Sequence, residues 1–244
     1  MHAGSRIRKL SLLLIVVFLG LSSVAPSSAE QLPVPQNLVA LDSRQGERLL
    51  FGAESRRAYF HLSEQFVTQE NQAFCGIASL VMVLNALHIP APESAELKPF
   101  NAFDQSNVFN PQTEAVVPRS LIEKKGMTLD QFGGIAEVWG LKAEVHHAAD
   151  SSLDQFRQLA SARLASDNQY VVVNFLRSAI GQQKLGHISP LAAYDAGTDR
   201  FLLLDVARYK YPPVWVSAAE LFDAMNTIDA DNENRSRGYV IVGR

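Results

Sequence analysis

Gln69, Cys75, His187 and Asp205 have the side-chain types that nucleophilic acyl transfer requires. Cys75 is the only cysteine in the chain. A thiol attacks as thiolate and is mostly protonated at neutral pH, so it needs local help to lose its proton. From Cys75 to Leu87 the apolar residues Ile77, Leu80, Val81, Leu84 and Leu87 recur at three- and four-residue steps, which predicts a helix beginning at the cysteine. Unpaired N–H groups at a helix N-terminus carry partial positive charge and favour a thiolate there. Gly76 lets the backbone approach a substrate carbonyl closely. A cysteine that only filled a core would sit mid-helix on the apolar stripe.

The nucleophile needs a base, and the base needs an orienting group. His61 and His88 read as loop residues, and His146 and His147 sit side by side on a short strand, facing opposite ways. His187 opens a strand after Gly186. The segments 187–194 and 200–207 flank the turn Asp195 to Asp199, which predicts a hairpin. A turn centred on Ala196 or Gly197 sets Asp205 opposite His187 or Ser189, on the face His187 occupies; a one-residue slip would separate them. Asp205 interrupts an apolar strand and therefore needs a partner. Arg208 or a backbone donor would satisfy it as well as His187 does. Gln69, six residues before Cys75, offers an amide to a developing oxyanion beside the Cys75 N–H.

The elements that must position these groups follow from the rest of the chain. Thr128–Gln131 and Ser152–Gln155 are capping boxes that open helices to about Trp139 and Leu164, and Ser217–Glu220 opens a third through about Met225. Segments 170–176 and 238–242 read as strands. Residues 90–118, with five prolines, read as a long surface excursion with little regular structure. Helices first and a mostly antiparallel sheet second is an α+β order.

At 244 residues, 47% of them hydrophobic, the chain supports one sizeable domain, in one lobe or two. Its net charge of −3 and its lack of a basic cluster argue against a nucleic-acid partner. Arg6, Arg8 and Lys9, the 12-residue apolar run Leu10 to Leu21, and the small residues Ser27 to Ala29 form the pattern of a secretory signal peptide. The run is short for a bilayer span, and an uncleaved anchor is the alternative. The expected organisation is a signal peptide over 1–29, a polar arm over 30–45 and a catalytic domain over 46–244. The expected location is periplasmic, with no membrane anchor after cleavage. In an exported protein a lone cysteine is inert, bridged to another chain, or a working thiol.

The segments Asn71–Leu87, Gly186–Pro190, Leu204–Pro213 and Trp215 resemble the nucleophile, histidine and aspartate segments of phytochelatin synthases. The resemblance covers roughly residues 45–243. It implies a papain-like fold, a helical lobe carrying the nucleophile helix plus an antiparallel sheet lobe, with Cys75, His187 and Asp205 as the triad and Gln69 in the oxyanion hole. It implies glutathione as donor: Cys75 attacks the Cys–Gly carbonyl, glycine leaves, and a γ-glutamylcysteinyl thioester remains. Asn174, Arg177 and Arg237 are implied at the γ-glutamyl end, where an arginine fork suits a free carboxylate. The resemblance also implies a homodimer and no required cofactor, with a cadmium–glutathione thiolate as activator or substrate. The chain ends soon after the catalytic segments and so resembles the short bacterial members, which favours hydrolysis to γ-glutamylcysteine. Transfer to a second glutathione, making phytochelatin, is the alternative. An inactive secreted thiol-peptide or metal-binding module and a general peptidase are readings of other classes.

Overall fold

The computed structural model describes Met1, residues 31–93 and residues 97–244. The expected signal peptide lies outside the described residues. Strand β1 (Val39–Ala40) leads into helices α1 (Arg44–Gly52), α2 (Arg57–Glu64), α3 (Cys75–Ala86), α4 (Pro111–Val116), α5 (Arg119–Lys125) and α6 (Leu129–Val138). Strand β2 (Lys142–His147) and helix α7 (Leu153–Leu164) precede the strands β3 (Gln169–Leu176), β4 (Gly186–Asp195), β5 (Arg200–Leu203) and β6 (Val214–Ser217). Helix α8 (Ala218–Met225) and strand β7 (Gly238–Gly243) complete the described chain. Among the described residues the sheet has seven strands, ordered β1-β6-β5-β4-β3-β7-β2, with every pair antiparallel. This is the α+β arrangement expected from the residue pattern. No helix among the described residues is long and apolar enough to cross a membrane.

Helix α3 is more than amphipathic. Every residue from Cys75 to Leu84 is buried, because the helix is packed against β4, α2 and α6 at once. A helix that is apolar all round belongs inside a core. Each of its fully buried leucine and valine side chains contributes about 1.5–3 kcal/mol relative to exposure. That burial fixes the height and rotation of Cys75 against β4.

The boundaries differ from expectation in places with physical causes. Residues 31–41, within the expected arm, are tied to the sheet: Val39 pairs with Trp215, and the Leu32 and Leu41 N–H groups donate to the Lys210 and Pro213 carbonyls at 2.8 and 2.9 Å. The stretch read as irregular contains α4. Pro111 stands at its first turn, where no N–H is needed, and Asn110 and Thr113 cap each other reciprocally. Phe103 and Val108 from the same stretch are buried. The Thr128 capping box forms in full, whereas Ser152 and Ser217 accept from the N–H three residues on without a reciprocal bond to the cap backbone. His61 lies in α2, not in a loop, with Nε2 3.6 Å from Asp167.

The hairpin of β4 and β5 starts in the slipped register. Asp195 pairs with Arg200, Tyr194 with Phe201 and Ala193 with Leu202, which would carry Asp205 onto the wrong face. A bulge at Ala192 absorbs one residue, so Leu191 pairs with Leu203 and the Leu204 N–H reaches the Pro190 carbonyl at 3.0 Å. Beyond the bulge Asp205 comes opposite Ser189 and beside His187.

Candidate active site

Cys75 is the first residue of α3, and the cap position, Phe74, offers no side chain to the helix N–H groups. Those donors stay open toward the sulfur and whatever it binds. The missing Cβ of Gly76 makes room for a neighbour: a methyl there would stand 2.6 Å from the Met127 sulfur. Ser79, one turn along, donates to the Cys75 carbonyl at 2.8 Å and lies 3.2 Å from the Ile188 carbonyl. This fully buried hydroxyl ties the nucleophile's turn to the residue after His187. Sequence reasoning passed over it, because a serine among apolar residues reads as a tolerated small residue.

His187 turns Nε2 to Asp205, 2.9 Å from Oδ1, and to the Ser189 hydroxyl at 2.8 Å. A carboxylate only accepts, so Nε2 carries the proton and Nδ1 keeps its lone pair. The Phe175 ring meets the imidazole edge-on at 5.7 Å and limits its rotation. Ser189 Oγ also accepts from the Val206 N–H at 3.2 Å, which fixes the Asp205 turn to the same strand.

Asp205 is sealed from solvent. Its oxygens accept from Arg177 Nη1 and Nη2 at 2.7 Å each and from the Ala207 N–H at 2.8 Å. Burial alone would raise its pKa, but His187 and the Arg177 fork overcome this and hold it well below the usual carboxylate range. For His187, burial and then the Arg177 charge outweigh the pull of Asp205 and lower the imidazole from 6.5 to about 4. Burial pushes the Cys75 thiol up; the Ile188 N–H and the Arg177 charge offset part of that. The shifts at His187 and Cys75 each favour the neutral form of the group concerned.

Arg177 is therefore corrected. It was expected at the γ-glutamyl end, but its guanidinium is 1% exposed, outside the cleft, and forked onto Asp205, with Gln182 and the Tyr211 ring closing over it. Asn174 and Arg237 do line the cleft, which encloses about 560 Å³ and also takes in Cys75, Gly186 and His187. Asp229 joins them, its Oδ1 3.6 Å from Arg237 Nη2. Within an acidic, asparagine-rich run, Asp229 reads as a solvated turn, so its place was not legible in the sequence. Gln69 is buried, and Nε2 donates to the Asn71 carbonyl at 2.7 Å and to the Tyr209 hydroxyl at 3.0 Å. No group of three or more histidine, cysteine or acidic side chains among the described residues could hold a metal ion.

A buried helix that starts at a cysteine, packed on an antiparallel sheet that presents a histidine and an aspartate, is the papain-like arrangement. Comparison with known families narrows this. The phytochelatin synthase family matches residues 29–239, and the chain belongs to it. It is 36% identical over 216 residues to glutathione gamma-glutamylcysteinyltransferase 1 of Lotus japonicus, covering 87% of this chain and 42% of that one. It is 37% identical over 186 residues to glutathione gamma-glutamylcysteinyltransferase 2 of Arabidopsis thaliana, covering 76% and 40%. With the glutathione gamma-glutamylcysteinyltransferase of Schizosaccharomyces pombe the identity is 33% over 212 residues, covering 86% and 50%. The chain thus spans half or less of the length of these relatives.

Proposed function

We propose that the protein is a glutathione-cleaving acyltransferase that works through a thioester on Cys75. The observation that carries this is the 2.9 Å contact of His187 Nε2 with Asp205 Oδ1 in a cleft that also contains Cys75; with Nε2 turned to the carboxylate, Nδ1 is the nitrogen left to act as base. His187 Nδ1 takes the thiol proton as sulfur bonds to the Cys–Gly carbonyl carbon. The tetrahedral intermediate collapses, the C–N bond breaks, and the imidazolium returns the proton to the departing glycine amine. The γ-glutamylcysteinyl thioester then passes its acyl group to an acceptor.

Arg237 and Asp229 form an adjacent positive and negative pair in the cleft, which suits the α-carboxylate and α-ammonium of a γ-glutamyl head. Asn174, on the neighbouring strand β3, supplies an amide to the same end. Water as acceptor yields γ-glutamylcysteine; a second glutathione, free or as its cadmium thiolate, yields phytochelatin. The names of the relatives favour transfer. Export under the amino-terminal segment would place this chemistry in the periplasm.

Incubation of the protein with glutathione, with and without cadmium, followed by mass analysis of the products tests the proposal. Glycine release, an acyl mass on Cys75 and loss of both in Cys75→Ser are expected. Release of glycine by Cys75→Ser at the wild-type rate would refute it. Chains of two or more γ-glutamylcysteine units identify transfer, and γ-glutamylcysteine alone identifies hydrolysis.

A further inference from the structure

Asp229 and Arg237 enter the cleft from the two ends of one loop. Its stem is an isolated bridge between Ile228 and Ser236, with the Asp229 N–H on the Arg235 carbonyl at 2.8 Å and the Arg237 N–H on the Thr227 carbonyl at 2.9 Å. Near its tip Glu233 and Asn234 take left-handed backbone, with φ of 55° and 60°. Such a conformation persists in residues other than glycine only where the surroundings hold it.

A carboxylate outside the cleft does the holding. Asp130 stands in the first turn of α6 and does not line the cleft, although Thr128 and Gln131 beside it do. Its Oδ2 accepts from the Asn232 amide at 2.7 Å and from Arg235 Nη1 at 3.3 Å, so both of these donors come from the loop. The third partner is His147 Nε2, 3.2 Å away on strand β2. His147 is buried, and its Nδ1 bonds to the carbonyl of Ser236, the residue before Arg237. The imidazole therefore links the Asp130 carboxylate to the root of the cleft arginine. The Ala149 N–H on the Ser236 hydroxyl, at 2.9 Å, secures the same residue from the other side. Arg235 also reaches Asp150 at 3.9 Å, and Lys125 meets Asp231 at 3.2 Å. Both are exposed pairs of the kind that contributes little. Burial alone would raise the Asp130 pKa, but Asn232, His147 and Arg235 overcome this and hold it below the ordinary 3.8.

We infer that Asp130, acting through His147 and Asn232, is the positioning residue for Asp229 and Arg237, and so sets the geometry with which the cleft receives an α-amino acid head. This rests on the γ-glutamyl reading of Asp229 and Arg237 above and adds to it a residue that touches no substrate.

Asp130→Ala removes the post to which the loop is tied. Expected is a rise in KM for glutathione of roughly 10-fold, with kcat for glycine release within about twofold of wild type. Asp130→Asn should restore part of the loss, because its amide oxygen still accepts from Asn232. Asn232→Ala should raise KM as well, and the double variant with Asp130→Ala should be no worse than Asp130→Ala alone. A wild-type KM in folded Asp130→Ala overturns the inference, as does a fall in kcat at constant KM or losses that multiply in the double variant. Melting temperatures report folding separately. Where Asp130→Ala does not fold, Asn232→Ala decides, and an unchanged KM there overturns the inference. A wild-type KM in Arg237→Ala refutes the γ-glutamyl reading itself. A raised KM in Arg237→Ala beside a wild-type KM in Asp130→Ala refutes only the positioning, so the two failures are distinguishable.

Discussion

Arg177 and Asp205 face each other as two parallel hydrogen bonds of 2.7 Å, both side chains withdrawn from water. Planar, bidentate geometry is what lets a guanidinium and a carboxylate share a buried site. With His187 neutral above about pH 4, this fork is the lasting reason that Asp205 stays ionised.

Removing one member of a buried pair leaves the other charge without compensation. Arg177→Gln should destabilise the fold by about 3–5 kcal/mol. Arg177→Lys should recover only part of this, since an ammonium cannot make the fork. Urea denaturation measures both. A substrate-binding Arg177 would instead raise KM for glutathione and leave the denaturation midpoint alone.

Acid should weaken the fold and the reaction together. The His187 pKa is lower in the folded chain, about 4, than its ordinary 6.5, so between those values the unfolded chain binds more protons. The stability contributed by burying neutral His187 is complete above pH 6.5 and erodes as pH falls toward 4. Asp205, with its depressed pKa, adds a further loss below its ordinary 3.8. Denaturation midpoints at pH 7, 5.5 and 4.5 should fall in that order, and His187→Gln should flatten the upper part of the slope. The acid limb of kcat/KM should lie below 6.5, where an unperturbed imidazole would place it. A limb at 6.5 would contradict the buried neutral base.

Arg237 and Asp229 should act on binding. Arg237→Ala should raise KM for glutathione about 10- to 100-fold, the worth of a charge-assisted hydrogen bond, with a smaller effect on kcat. Asp229→Asn should do the same, less strongly, because the amide keeps one acceptor. Initial-rate measurements over a range of glutathione concentrations separate the two constants. A pure kcat effect would move these residues from the substrate head to the reacting bond.

Gly238 tests the sheet beneath the cleft. A methyl there would lie 2.0 Å from the His146 carbonyl oxygen, which is backbone and cannot swing aside. Gly238→Ala should cost at least about 1–3 kcal/mol as β2 and β7 are forced apart, and thermal unfolding reads this directly.

Much of the site was legible in the sequence because its residues sit where regular structure changes. Cys75 could be placed at a helix start because the apolar steps begin there, and His187 at a strand start because Gly186 precedes it. The pairing of His187 with Asp205 was reached through an even register that the turn itself does not have. The bulge at Ala192 restores it, and an alanine in an apolar strand gives no sign of a bulge. Arg177 misled for a related reason. A strand-end arginine matches a carboxylate wherever one is present, and only the fold shows that the carboxylate is the chain's own. Helix α4 is hidden in the sequence because proline breaks helices more often than it starts them, and Pro111 opens one.

Strand β7 has a consequence for synthesis. It lies between β3 and β2 and is the only sheet partner of β2 among the described residues, although it follows all the other described strands in sequence. Lys142 therefore pairs with Gly243, across most of the second half of the polypeptide. While the chain emerges from the ribosome, the helices and the β3–β4 hairpin can form, but β2 has only helix α6 to pack against and no strand to pair with, and the wall that carries Arg237 does not exist. Such long-range closure is slow and comes late. The cleft should become a binding site only after translation of β7, and nascent chains stalled before residue 238 should remain sensitive to protease along β2.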